Sequence, residues 1–374
     1  MSTRGPIRLA TRSSDLALRQ AATVKAALED RRYDVELVEV ETTGDQIQDE
    51  LIHRLGKTGA FVRSLDEKVI EGEVDAAVHS MKDMPTEQPD ELIVAGVPER
   101  AAPGDALVTP DGATLDELPD GATVGTSSLR RQAQLLDARP DLTVEPLRGN
   151  VDTRVEKLLA PGLQAEHEAR TDAEKEKKGN TDNDDYEHPY ERDVETWFSE
   201  LNEIERRALE REPDVEYDAI VLAEAGLDRS GLAHRVEYSR LPTDRFVPAP
   251  GQGALAVTTL DDEVGEAITT ILDNPRTRIE TTAERTILAE LGGGCVAPIG
   301  VHAVLQGEYV RVDVQVFSRD GSESVAASRD LPAEDHVSAA RSFAAELADR
   351  GADELIAQAR RDDEDAEAKR EESA

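Results

Sequence analysis

The first eighty residues switch repeatedly between two hydrophobic periods, and this alternation narrows the folds open to the chain more than any other feature. An apolar run at Ile7 to Ala10 gives way to helical spacing from 15 to about 30, then to a second strand with Val35, Leu37 and Val40. A second helical stretch at 61–71 leads into the apolar run Val74 to Val78. Period two followed by period 3.6 and back again is the βαβ order of an open α/β sheet. In such sheets ligands bind beyond the carboxyl ends of the strands. The unusual residues fall there, at 11–14, 42–45 and 79–85.

A run of Ala, Pro and Gly near 100–105 reads as a crossing into a second α/β unit. Its strand at 105–109 is followed by another at 122–126, which feeds Ser127 and Ser128 into a helix opening with Leu129, Arg130 and Arg131. Ser before such a run is a helix N-cap, and the first turn offers free amides. A further strand ends at Leu147-Arg148-Gly149-Asn150 before a helix carrying Arg154, and the strand 218–223 leads toward Arg229. Between about 161 and 213 the composition turns to Ala, Glu, Lys, Asn and Asp, with a polar core at 174–185 expected to be mobile. Val194, Trp197, Phe198, Leu201 and Ile204 are expected on one face of a single inserted helix docked on the second unit. After the loop 247–253 the pattern predicts a strand and two helices, then Gly292-Gly293-Gly294-Cys295. Alternation at 301–305 and 310–317 predicts a small antiparallel sheet, followed by a helix over about 333–360 and a charged tail at 363–374.

The 374 residues include 80 acidic and 43 basic side chains, a formal net charge of −37. That balance repels nucleic acid and anionic membrane surfaces. Periodic apolar segments argue against a disordered acidic chain and for a folded, halophile-type protein. At roughly 1 M salt the Debye length falls to about 3 Å, so self-repulsion is screened. The single cysteine excludes an intrachain disulfide, and no CxxC or HExxH pattern suggests zinc. The first ten residues carry no apolar signal region and no stretch approaches the ~20 apolar residues of a membrane span, so a cytoplasmic location is expected.

Four groups of residues could carry chemistry. Cys295 follows three glycines. An unpaired Cys is more often a small core residue, but a thiol in an accessible loop is a nucleophile able to bond a ligand covalently. Ser80, Lys82 and Asp83 stand just past a buried strand, where solvated loops and sites are both found. Arg12, Arg130, Arg131, Arg148, Arg154 and Arg229 recur at strand-to-helix junctions. In so acidic a chain each alone reads as a surface ion pair, but several converging on one cleft would bind carboxylates or phosphate through planar guanidinium forks. Gly251-Gln252-Gly253-Ala254-Leu255-Ala256 formally matches the dinucleotide fingerprint, yet Pro248 and Pro250 precede it and a strand follows it, so an interdomain hinge is expected.

At these residues the chain resembles the hydroxymethylbilane synthase (porphobilinogen deaminase) family. The matching blocks are Leu9-Ala10-Thr11-Arg12, Val78-His79-Ser80-Met81-Lys82-Asp83-Met84-Pro85, Val124 to Gln132, Leu147 to Val151, Pro248 to Ala254 and Gly293 to Gly300, in order. The resemblance implies three domains, two of them α/β units similar to type II periplasmic binding proteins and a small α+β C-terminal domain. Their expected extents are 1–100 with 247–273, 104–246 and 275–362. It also implies a dipyrromethane cofactor attached through Cys295. Four porphobilinogen molecules are then joined head to tail with loss of ammonia, and hydroxymethylbilane is released by hydrolysis, for porphyrin biosynthesis.

By the same resemblance Asp83 assists departure of the amine and stabilises cationic intermediates, with Lys82 beside it. Cofactor contacts are expected from Thr126, Ser128, Arg130, Arg131, Arg148, Ser80, Lys82 and Asp83, and substrate contacts from Arg12, Ser13, Arg148, Arg154, Arg229 and Phe61. Two departures stand out: the lid lysine of many relatives is replaced by Thr58, with Lys57 one step earlier, and the 161–213 segment is extra. A monomer is expected. The rival reading is a non-catalytic anion-binding module of the same two-domain architecture, which would need neither Cys295 nor Asp83.

Overall fold

The computed structural model describes residues 6–40, 60–179, 189–212, 214–292 and 297–371. Strands β1 (Ile7–Arg12), β2 (Val35–Val40), β3 (Ala76–Ser80) and β4 (Leu92–Gly96) form one sheet with β10 (Leu255–Leu260), in the order β2-β1-β3-β10-β4. A second sheet takes the order β7-β6-β8-β5-β9, from β5 (Asp105–Val108), β6 (Thr123–Gly125), β7 (Thr143–Glu145), β8 (Ala219–Ala223) and β9 (Tyr238–Leu241). In each sheet β1 or β6 runs parallel to both neighbours, while β10 or β5 runs antiparallel to both of its own. The two sheets therefore share one topology. Each antiparallel strand is the one entered directly after the chain has crossed from the other sheet, first over 97–104 and again over 242–254.

Helix α1 (Asp15–Glu29) buries Ala21, Val24 and Leu28 against Leu9, Ala76 and Val257, and its N-cap Ser14 accepts from the Ala17 amide. Helix α2 (Ala60–Ile70) covers the other face through Leu65 and Val69. In the second unit α3 (Leu129–Ala138) and α4 (Val151–Gly179) flank a core containing Leu107, Val124, Ile220 and Leu222. Each such fully buried aliphatic side chain contributes about 1.5–3 kcal/mol relative to exposure. Short helix α7 (Glu224–Ser230) closes this unit and packs on α1 of the first. Helices α8 (Glu263–Leu272) and α9 (Pro275–Glu290) follow β10, with α8 packed on β4. A three-stranded antiparallel sheet, β11 (Ile299–Gln306), β12 (Tyr309–Phe317) and β13 (Ser324–Pro332), then packs with α9 and α10 (His336–Leu347) around Val301, Val312, Val314 and Phe343.

Several sequence expectations need correction. Helix α4 runs on through Pro161 and takes in the first part of the polar core, because Ala, Glu and Lys are strong helix formers; residues 180–188 lie outside the described residues. The single amphipathic helix is two helices, α5 (Val194–Glu200) and α6 (Glu203–Leu209), divided at Asn202, whose side chain and Glu205 form a capping box. Trp197, Leu201 and Ile204 are buried as expected, but Phe198 is 44% exposed. Strand β13 was not foreseen, and the last long helix breaks at Gly351, whose φ of 101° departs from helical backbone. Beyond it α11 (Asp353–Glu371) extends into the charged tail. No helix among the described residues is long and apolar enough to cross a membrane.

Candidate active site

Strand β3 ends at Ser80 and turns at once into a single 3-10 turn, Met81–Asp83. Buried Met81 anchors it, its amide donating to the Ala254 carbonyl at 3.0 Å while the Met84 amide donates back to the Met81 carbonyl at 3.2 Å. Ser80 and Lys82 are half-buried and Asp83 is exposed. Among the described residues Asp83 has no hydrogen-bond or ion-pair partner. The turn is backed by the loop at 251–253. A Cβ on Gly251, at φ +74°, would lie 2.9 Å from Met81 Cγ and 3.3 Å from the Lys82 nitrogen. One on Gly253, at φ +86°, would lie 2.6 Å from the Ala101 carbonyl oxygen. Those glycines serve close packing of the two crossing segments, and a strand rather than a helix follows them.

Buried Asp105, at the start of β5, organises the hinge. It accepts from Arg130 Nη2 at 2.8 Å, from Arg131 Nε at 3.1 Å and Nη2 at 2.8 Å, and from the Gln252 side-chain amide at 2.9 Å. Burial pushes this carboxyl upward, but the two arginine charges and the donated hydrogen bonds outweigh it and hold Asp105 well below the usual carboxylate range. Gln252 also donates to the Pro103 and Gly104 carbonyls, at 2.6 and 3.1 Å. Arg130 directs its remaining Nη contacts to Gln134 and the Val247 carbonyl, and Arg131 donates to the Val221 carbonyl at 3.0 Å. These two arginines are thus 4% and 6% exposed and share an interior carboxylate. Thr126 and Ser128 shape the start of α3: the Thr126 hydroxyl accepts from the Ser128 amide at 3.2 Å, and the Ser128 hydroxyl from the Arg131 amide at 3.4 Å.

The electrostatics couple residues of the two units. Burial lowers the Lys82 pKa; Asp83 and Asp105 oppose that, while Arg131 and Arg154 reinforce it. Arg154 is drawn down to about 10, chiefly by burial, then by repulsion from Arg131, with Asp83 opposing. Lys82 of the first unit is thus within electrostatic reach of Arg131 and Arg154 of the second, and Asp83 within reach of Arg154. Arg154 Nε donates to the Gly149 carbonyl at 2.8 Å, and Gly149, at φ +111°, leaves no room for a Cβ beside Thr153. Half-buried Arg148 lies in the same loop. Half-buried Arg12 and exposed Ser13 stand at the carboxyl end of β1. Arg229 donates to the Gly253 carbonyl at 2.8 Å, so it too reaches the hinge, and burial lowers its pKa.

Cys295 lies outside the described residues, as do 41–59 with Lys57 and Thr58. Phe61 sits in the first turn of α2, and its side chain is not among those described. What surrounds the cleft fits a polycarboxylate cofactor: Lys82 and Arg154 form no ion pair with any described residue, and mutual repulsion with Arg131 already strains their charges. Anionic groups placed among them would relieve that repulsion.

Sequence reasoning missed Asp105 and Gln252, and with them Arg100, Glu284 and Arg285. Arg100 forks onto buried Glu284 at 2.7 and 3.0 Å, and Glu284 also accepts from the Gly251 and Ala303 amides. It missed as well the buried trio of His79, Asp66 and Thr258, which joins α2 to β3 and β10 through contacts of 2.8–3.0 Å. The one available signal was an acid opening an otherwise apolar strand at 105–108.

Comparison with known proteins bears on this arrangement. Residues 7–169 and 201–266 match the family model described as porphobilinogen deaminase, dipyromethane cofactor binding domain, and 278–349 match that of the porphobilinogen deaminase C-terminal domain. A probable porphobilinogen deaminase of Halobacterium salinarum is 55% identical over 95% of this chain and 98% of that protein. One of Methanococcoides burtonii is 38% identical over 94% of this chain and 96% of that protein. A solved methionine-binding protein, MetQ, overlaps 71% of this chain and 89% of its own at 14% identity and a TM-score of 0.35, too little to carry weight beside the strand order. With its hinge-linked α/β pair and cation-rich cleft, this chain belongs to the porphobilinogen deaminase family, transferases of porphyrin biosynthesis that work with a dipyrromethane cofactor.

Proposed function

We propose that the cleft condenses four porphobilinogen molecules head to tail and releases hydroxymethylbilane, with Asp83 as the reacting carboxylate. The observation that carries this reading is that Asp83, without a hydrogen-bond or ion-pair partner among the described residues, lies within electrostatic reach of the Arg154 cation. A receptor that merely bound anions would gain nothing from a lone negative charge among its cations; a site that must offset a transient positive charge would. A dipyrromethane held by Cys295 would supply the growing end to which each incoming pyrrole is added.

This chain's own residues do the rest. The Asp83 carboxylate offsets positive charge on the incoming pyrrole and its departing amine, and holds or passes a proton at its Oδ atoms. Arg12, Arg148, Arg154 and Arg229 pair with acetate and propionate groups, and Arg131 extends that field from its place on Asp105. Ser13, Ser80, Thr126 and Ser128 add hydrogen bonds at the strand ends, and Phe61 packs on a pyrrole ring. Lys82 is a neighbouring cation beside Asp83, available to pair with cofactor carboxylates. Buried Arg130 serves the cofactor site through Asp105.

The proposed division of the chain is 1–100 with 247–273, 104–246 and 275–362, followed by 363–374. The exchange of strands between the two sheets supports it, and the gap in the family match between 169 and 201 supports an insertion at about 161–213 within the second domain. The acidic composition and the Halobacterium relative support a halophilic protein, and a cytoplasmic monomer is proposed with it. The test is turnover of porphobilinogen by Asp83→Asn. A loss of about 10²–10⁴-fold is expected, the range of general acid–base catalysis. Activity within threefold of the parent would remove Asp83 from the reaction.

A further inference from the structure

The 3-10 turn that carries Lys82 and Asp83 is too short to hold itself. It has one internal backbone hydrogen bond, from the Met84 amide to the Met81 carbonyl, and Ser80 gives it no side-chain cap. The Met81 carbonyl already accepts from the Met84 amide, but the Met84 and Pro85 carbonyls that follow receive no backbone amide among the described residues. They are met by Arg285 of α9, whose Nη1 donates to the Met84 carbonyl at 3.2 Å and more weakly to that of Met81 at 3.4 Å, and whose Nη2 donates to the Pro85 carbonyl at 2.6 Å. No carboxylate lies within ion-pair distance of Arg285 among the described residues. In a chain with 80 acidic side chains, a half-buried guanidinium that serves only backbone oxygens is a fixed structural donor.

Its position on the helix adds to this. Glu284, next to it, takes the Gly251 amide and the Arg100 fork, so consecutive residues of α9 grip the hinge loop and the turn. Gly251 packs directly against the turn, since a Cβ there would meet Met81 Cγ at 2.9 Å. Helix α9 is also the element that leads, within a few residues, into the segment containing Cys295.

We propose that Arg285 is a positioning residue for the reaction: it fixes the Asp83 turn to α9 and so holds the Asp83 carboxylate in one place. The proposal rests on Asp83 being the reacting carboxylate. A guanidinium suits the task because its planar fork can reach carbonyls of several residues at once, whereas an ammonium is a point donor. A displacement of about 1 Å at a reacting group is enough to cost on the order of 10²-fold in rate.

The experiment compares Arg285→Gln, Arg285→Lys and Asp83→Asn with the parent protein. For each, intact mass reports the covalently bound pyrrole units, steady-state kinetics give kcat and KM for porphobilinogen, and thermal unfolding is measured in the same high-salt buffer. Arg285→Gln should keep the parent's bound mass, lower kcat by about 10- to 100-fold and move KM less than about threefold. Arg285→Lys should fall between Arg285→Gln and the parent. Parent-like kcat in both Arg285 variants, even with a lowered unfolding temperature, would overturn the proposal, as would loss of the bound pyrroles, which would make Arg285 a residue of cofactor assembly. Parent-like kcat in Asp83→Asn would instead overturn the reading of Asp83 itself.

Discussion

Replacing Asp105 by Asn tests how the cleft is held together, because it removes one charge and almost no volume. Asp105 is 1% exposed and faces Arg130 and Arg131, themselves 4% and 6% exposed, through three hydrogen bonds of 2.8–3.1 Å. An amide oxygen can accept from one of these guanidiniums, while its NH2 group would point a donor at the other. Two buried cations then lack a counter-charge, a situation that costs about 3–5 kcal/mol. With a urea m-value on the order of 3 kcal/mol per M, the midpoint should fall by about 1–1.7 M. Because the folded-state pKa of Asp105 is depressed below its unfolded value of about 3.9, its contribution is fully present above about pH 4. It is lost as pH falls toward the folded value. The stability gap between parent and Asp105→Asn should therefore be widest near neutrality and close in acid. Urea unfolding followed by circular dichroism at pH 7 and near pH 3 measures it. A gap under 1 kcal/mol at pH 7, or one that does not narrow in acid, would refute the counter-ion reasoning.

Other consequences are equally direct. The unfolding temperature should rise as KCl increases from about 0.15 M to 1 M, where the Debye length shortens from about 8 to 3 Å; a flat or falling response would contradict a salt-adapted surface. Gly253→Ala should lower stability by about 1–3 kcal/mol and slow turnover, since its Cβ would meet the Ala101 carbonyl oxygen at 2.6 Å on a backbone with φ of +86°. Trp197→Ala should cost about 3 kcal/mol of stability yet leave turnover at 25 °C unchanged, because the side chain packs beside His167 and Arg170 of the inserted segment.

The α/β order was legible because buried parallel strands such as 76–80 and 219–223 are short apolar runs, and amphipathic helices announce themselves by period. Strand β13 was not, since only Leu331 of its nine residues is fully buried and its Ser, Arg and Asp positions resemble a loop. The Leu201–Asn202 break was missed because a continuous apolar stripe hid the capping box. The motif residues around Asp83 and the arginines could be read directly, but not their partners. Asp105 meets Arg130, Arg131 and Gln252 across 25, 26 and 147 positions, and Arg285 meets Pro85 across 200, separations that no local pattern encodes.

The central claim is that a pyrrolic cofactor, bonded to Cys295, lies where Asp83 can act on its growing end. Intact mass of the protein purified from cells that make porphobilinogen tests it most directly. The account predicts added mass equal to two linked pyrrole units in the parent and in Asp83→Asn, and none in Cys295→Ala. A parent protein at its bare polypeptide mass, or a Cys295→Ala protein that still carries the adduct, would contradict it.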